Sequence, residues 1–234
     1  NGLFLEEPFL KMAMANKKES AIILSLGDKA ISSEFLVFDS SFPESKGHPN
    51  PHLWTDPILA LSYAKLVRDQ LVILDNDNAK YYQNNYDQLK LQIEDLDRRI
   101  RLAISTIPIP NRKLLTYHDS FPYFASRYGL EVVGAVQPSD FTEPSAREVA
   151  RLIDQIKATG LPAIFGSEVF RSRVMEQIAN ETGIQFIDQV RDDDLPGSHG
   201  DVAHTYAGLM LDNIRIIVSA LGGNVDSMSG FDPG

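Results

Sequence analysis

Residues 79–105 read AKYYQNNYDQLKLQIEDLDRRIRLAIS. Tyr82, Tyr86, Leu89, Ile93, Leu96, Ile100 and Ala103 recur in steps of four and three, which keeps one apolar stripe on one helix face. At 1.5 Å per residue such a helix is about 40 Å long, about the width of a whole domain. In a chain of 234 residues that length predicts a helix spanning two lobes. Asn76-Asp77-Asn78 breaks the chain before it, and Ile107-Pro108-Ile109-Pro110 stops it.

Beyond Pro110, strands and helices alternate. Leu114–Tyr117 reads as a strand, Phe121–Tyr128 as a short helix closed by Gly129, and Leu130–Val136 as a strand. Ser145 and Glu148 form a capping box for a helix to Thr159. Ala163–Phe165 is a strand, Val169–Thr182 a helix, Ile184–Ile187 a strand, and Val202–Leu221 a last helix. The alternation predicts an α/β fold with a parallel sheet flanked by helices. Before the long helix, Asp56-Pro57 starts another helix that runs to about Leu74. The loop 39–55 is rich in Pro, Ser and Gly. Ser20–Leu26 and Phe35–Phe38 read as strands, and residues 3–16 as an amphipathic helix. The expected organisation is an N-terminal lobe over 1–76, a connecting helix over 77–106, a C-terminal lobe over 107–222 and a flexible tail over 223–234.

Composition narrows the function. A net charge of −10 argues against nucleic acid, whose phosphates select for Lys and Arg. The absence of Cys excludes disulfides, thiolate zinc sites and a Cys nucleophile. No apolar run approaches the roughly 20 residues of a membrane span. The chain opens Asn1-Gly2-Leu3 without Met, so a trimmed precursor or a numbering that starts partway along the native protein is expected.

In a doubly wound sheet, ligands bind beyond the carboxyl ends of the strands. His118 follows the first strand of the alternating region, Glu168 the third, and Asp192, Asp193 and Asp194 the fourth. His52 lies in the Pro-rich loop ahead of a helix start. Imidazole with carboxylate is the ligand set of Zn²⁺, Mn²⁺ or Fe²⁺. Pattern alone leaves His118 open between metal ligand and hydrogen-bond partner, and the Asp triplet between ligand loop and solvated turn. His48, His199 and His204 read as loop or helix-start residues. His199 and His204 are five apart, the wrong spacing for one helix face. Trp54, Phe121, Tyr123 and Phe124 read as core.

Asn50-Pro51-His52-Leu53-Trp54-Thr55-Asp56-Pro57 resembles the D/N-P-H-x-W-x-D-P signature of metal-binding solute-binding proteins of cluster A-I, also called cluster 9. His118-Asp119-Ser120-Phe121-Pro122-Tyr123-Phe124-Ala125-Ser126-Arg127-Tyr128-Gly129-Leu130 resembles their H-x-A/S-F-x-Y-F-A-x-x-Y-G-L block. Asn1-Gly2-Leu3-Phe4-Leu5-Glu6 resembles N-G-L-x-L-E. Glu143-Pro144-Ser145, Glu168 and Asn213 fit as well. The resemblance implies two lobes, each with a parallel sheet flanked by helices, joined by one rigid backbone helix. It implies a carrier that delivers Zn²⁺, Mn²⁺ or Fe²⁺ to the permease of an ABC importer. Such a carrier works as a monomer in the periplasm or as a cell-surface lipoprotein, without catalysis, and some members are described as adhesins.

In such proteins each lobe supplies two ligands. Carried over, His52 is the second and His118 the third. Asp193 is the best match to the fourth, with Asp192 the runner-up. The first is a His upstream of N-G-L, expected before residue 1 together with a signal peptide and, in lipoproteins, a lipid-bearing Cys. His48 or water is the alternative for that position. The loop holding His48 lacks the His-rich stretch of many zinc members. Two rival readings stand beside this one, the first using the same His and Asp residues and the second only the same architecture, with the paired His blocks arguing against it. One is a metallohydrolase with an open position for water, in which Glu168 is the obvious base. The other is a siderophore or haem carrier of similar architecture.

Overall fold

Asp56 and Pro57 open the first long helix of the computed structural model, which describes residues 1–137, 144–167 and 172–234. A short helix α1 (Glu7–Asn16) and a single turn α2 (Gly27–Ala30) come before it. The long helix α3 covers Pro57–Leu74. Asp56 Oδ1 accepts from the backbone N–H of Ile58 at 2.8 Å and of Leu59 at 3.4 Å, satisfying donors the helix start would leave unpaired. A 3₁₀ turn over Asn76–Asn78 then leads into α4 (Ala79–Ser105), with the boundaries the sequence predicts. The stripe of α4 is buried from Ile93 to Ile104. It shares one core with Leu61 of α3 and with Ile214 and Ile217 of the last helix.

The remaining elements are β1 (Lys113–Thr116), α5 (Pro122–Tyr128), β2 (Glu131–Ala135), α6 (Ala146–Thr159), β3 (Ala163–Ser167), α7 (Arg173–Thr182), β4 (Gln185–Val190) and α8 (Tyr206–Ala220). The sheet order is β2-β1-β3-β4, with every pairing parallel. Parallel strands need covering on both faces, and alternation along β1 provides for it. Leu114 joins the core of α4 and α8, whereas Leu115 joins Val149, Ile153 and Ile156 of α6 and Met175 and Ile178 of α7. Ser145 and Glu148 make the predicted capping box, and Gly129, Gly160 and Gly183 end their helices with positive φ. Phe121, Tyr123 and Phe124 are buried, as the sequence implies.

The N-terminal part departs from expectation. Ser20–Leu26 is not a strand: Ile22 and Ile23 are exposed, and α2 follows directly. Phe35–Phe38 is not a strand either; a 3₁₀ turn takes Ser33–Phe35. A strand needs a neighbour for its amides and carbonyls. Among the described residues all four strands lie between 113 and 190, so neither run has one. The helix read over 3–16 begins at Glu7, after Leu3 and Phe4 with positive φ. The last helix starts at Tyr206 rather than near Val202, because Thr205 caps it through Gly208 N–H at 3.0 Å. The segment read as a flexible tail is pinned to α4. Met228 is fully buried, and the Arg99 guanidinium donates to the carbonyls of Ser227 and Ser229, each at 2.9 Å. Two apolar anchors, Met228 and Phe231, suffice to dock it without any helical period. The first three residues of the helix expected over Val169–Thr182, Val169–Arg171, lie outside the described residues.

Asp56 also ties the start of α3 to α5, because Arg127 of α5 pairs with the same carboxylate that caps α3. Burial raises the Asp56 pKa although Arg127 opposes the rise, so desolvation is not fully repaid. Asp56→Ala removes both a cap and the partner of a half-buried Arg, and is expected to cost about 3 kcal/mol in urea unfolding. Asp56→Asn keeps an acceptor for the cap and is expected to cost about half that.

Candidate metal-binding site

The strand order reverses between β1 and β3, which opens a crevice at their carboxyl ends. His118 stands there, two residues past Thr116, and its backbone carbonyl accepts from Thr116 Oγ1 at 2.7 Å and from Ser120 N–H at 3.0 Å. Those bonds turn the chain sharply and carry the ring into the crevice. His52 reaches the same point from the other side. Its carbonyl accepts from Thr55 Oγ1 at 2.9 Å in the 3₁₀ turn Leu53–Thr55, and its ring is almost wholly buried. The two Nε2 atoms are 2.9 Å apart, with ring planes 80° from parallel. Burial, and then the neighbouring His118, hold the His52 pKa well below the ordinary 6.5, so this ring is neutral at pH 7.

The Asp triplet follows β4. Asn213 of α8 fixes its approach by accepting from Arg191 N–H at 3.0 Å and donating to the Arg191 carbonyl at 2.6 Å. Trp54 Nε1–H donates to the Asp192 carbonyl at 2.6 Å, and Tyr206 donates to the Trp54 carbonyl at 2.8 Å. His52, Trp54, His118, Gln137, Asp192 and Asp193 thus line one cleft of about 670 Å³. The Asp193 pKa is raised, first by burial and then by Asp192, with His118 acting in the opposite direction. Asp193 shares the cleft with the imidazole pair but stands off from it. Among the described residues, no group of three or more His, Asp or Glu side chains meets at metal-ligating distance.

The other candidates are spread out. His48 stacks on Phe4 with centroids 4.1 Å apart. His199 and His204 do neighbour each other, at 6.2 Å, although the helix spacing rule separates them. They occupy a loop, where that rule has no force. Glu143 and Glu168 lie outside the described residues. From the sequence Trp54 reads as core, yet it is a hydrogen-bonding clamp on the Asp loop, and its place two residues after His52 is the available signal. Asn50 and Asp119 carry no role in the sequence pattern beyond their places in the two His motifs, yet both are buried beside the site. Asp119 is buried against Asp39, and burial with that neighbour pushes it up to about 6.

Residues 1–220 match the family model described as ZnuA, zinc-uptake complex component A, periplasmic, and the chain belongs to this family. The manganese-binding lipoprotein MntA of Halalkalibacterium halodurans is 28% identical over 172 residues, covering 74% of this chain and 57% of that protein. The iron-binding protein YfeA of Yersinia pestis is 30% identical over 176 residues, covering 75% and 56%. The chain therefore spans just over half the length of these two curated relatives. The solved structure of the periplasmic zinc-binding protein TroA from Treponema pallidum superposes with a TM-score of 0.83 at 26% identity, covering 94% of this chain and 79% of that one. The family's members are binding proteins of transporters rather than enzymes. No helix among the described residues is long and apolar enough to cross a membrane.

The raised Asp119 value has a consequence for stability. In the folded state the carboxyl holds its proton up to about pH 6, against about 3.8 when unfolded. Its favourable contribution is therefore present below the unfolded value and is lost as pH rises through 6. Asp119→Asn is expected to stabilise the metal-free protein at pH 7, with the gain gone by pH 4. Urea titrations at the two pH values check this, and equal effects at both would contradict it.

Proposed function

We propose that this chain is the extracytoplasmic metal-capturing component of an ABC importer. It takes a divalent transition metal, Zn²⁺, Mn²⁺ or Fe²⁺, as cargo on His52, His118 and Asp193 and hands it to the membrane permease. It works as a monomer, in the periplasm or as a cell-surface lipoprotein, and performs no catalysis. The observation that carries the reading is the 2.9 Å approach of the two Nε2 atoms at the carboxyl edge of the sheet. Metal–nitrogen bonds of 2.0–2.1 Å in a tetrahedral site put two ligating nitrogens about 3.3 Å apart. The rings need to part by only a few tenths of an ångström to admit a cation. Asp193 then turns from Asp192 toward the metal, offsetting part of its charge and offering two oxygens to an ion such as Mn²⁺.

The relatives are named for manganese, iron and zinc, which supports one ligand set serving several ions. Such a site binds Zn²⁺ more tightly than Mn²⁺ whichever ion is carried, so affinity alone does not name the cargo. Elemental analysis of protein purified without added metal addresses the cargo. Calorimetric titration with Zn²⁺ and Mn²⁺ addresses the site. His118→Ala is expected to weaken Zn²⁺ binding by more than the roughly 10–100-fold that loss of an outer partner costs. Trp54 is the only tryptophan and lies 5.0 Å from the His52 ring, so its fluorescence should follow the same titration. A variant that binds both ions as tightly as the parent would overturn the assignment.

A further inference from the structure

Asn50 is fully buried two residues before His52, and every polar group of its side chain is engaged. Oδ1 accepts from the backbone N–H of His52 at 3.1 Å and lies 2.8 Å from His52 Nδ1. Nδ2 donates to Asp39 Oδ2 at 2.9 Å and to the backbone carbonyl of Asp119 at 2.8 Å. The Asn50 main chain is held as firmly. Its N–H donates to the Val37 carbonyl, and its own carbonyl accepts from the Tyr123 hydroxyl, both at 2.8 Å.

This network admits one orientation of the amide. Reversing it would set the NH₂ group against the His52 N–H and the oxygen against the Asp119 carbonyl, leaving two clashing pairs of like groups in a dry interior. With Oδ1 facing His52, the ring nitrogen beside it must be the one that carries the proton. The lone pair of the neutral ring is then on Nε2, the atom that faces His118. The same amide holds the backbone of Asp119, the residue after His118.

We infer that Asn50 is a positioning residue for the site: it fixes His52 as the Nδ1–H tautomer, aims the Nε2 lone pair at His118, and clamps the His118 loop through the Asp119 carbonyl. A free neutral imidazole divides itself between two tautomers, and only one of them presents the inward nitrogen to a metal. Asn50 removes that choice before any ion arrives. It also references both histidines, 66 residues apart, to a single side chain. The consequence for metal affinity rests on the carrier reading above; the tautomer itself does not.

Long-range ¹H–¹⁵N correlation spectra of the ¹⁵N-labelled, metal-free protein at neutral pH read the tautomer directly. The parent is expected to show His52 protonated at Nδ1 and bare at Nε2. Asn50→Leu is expected to give a mixture of tautomers and to weaken Zn²⁺ binding by about 10–100-fold. Asn50→Asp keeps an acceptor at Nδ1, so it should retain the parental tautomer while losing the bond to the Asp119 carbonyl. That contrast separates positioning from general loss of packing. A parent His52 protonated at Nε2, or Asn50→Asp with mixed tautomers, overturns the inference even if Asn50→Leu fails to fold. A parent with the expected tautomer that binds neither Zn²⁺ nor Mn²⁺ would remove the carrier reading and leave the role of Asn50 standing.

Discussion

Two imidazole nitrogens face each other at 2.9 Å, one on a buried ring and one on a half-buried ring. Two lone pairs at that separation repel, so the contact requires a proton or a cation between them. A proton bridges them while the cleft holds no ion, and under the proposed function a divalent metal would take its place at slightly greater spacing. The rings are already aimed at a common point and need to part only slightly for that exchange; Asp193 is the group that has to move. The surrounding structure accordingly serves to keep two residues from distant parts of the chain in register.

The scaffold does this from both directions. On one side, the reversal of strand order between β1 and β3 leaves a gap into which the His118 turn projects. On the other, the segment from Asn50 to Asp56 is tied at nearly every residue. Asn50 grips His52 and the Asp119 carbonyl, Trp54 grips the Asp192 carbonyl, and Asp56 pairs with Arg127 on the helix that follows His118. Seven consecutive residues thus fix two loops of the C-terminal half. Beneath them, α4 runs between α3 and α8 in one continuous core, so the two sides of the cleft share a rigid base.

Local signals account for much of what the sequence reveals. The stripe of α4, the Asp56-Pro57 start and the Ser145–Glu148 box are satisfied within a few residues, so they can be read without tertiary knowledge. The strands of the sheet were readable because each has a partner strand close by in the alternating region. Ser20–Leu26 has the same composition but no partner among the described residues, and composition cannot report pairing. The last residues read as a tail for the opposite reason, since Met228 and Phe231 dock by long-range packing that carries no period. In the site, His52 and His118 stand out through the motifs around them. Asn50 and Trp54 belong to one of those motifs, but their hydrogen-bond partners lie 69 and 138 residues away, beyond any spacing rule.

The most direct test is crystallographic. An anomalous difference map from crystals of the Zn²⁺-loaded protein should show one strong peak between the two rings, about 2.0–2.1 Å from both Nε2 atoms, with an Asp193 oxygen drawn toward it. A peak bound elsewhere, or one that contacts neither His52 nor His118, would contradict the account.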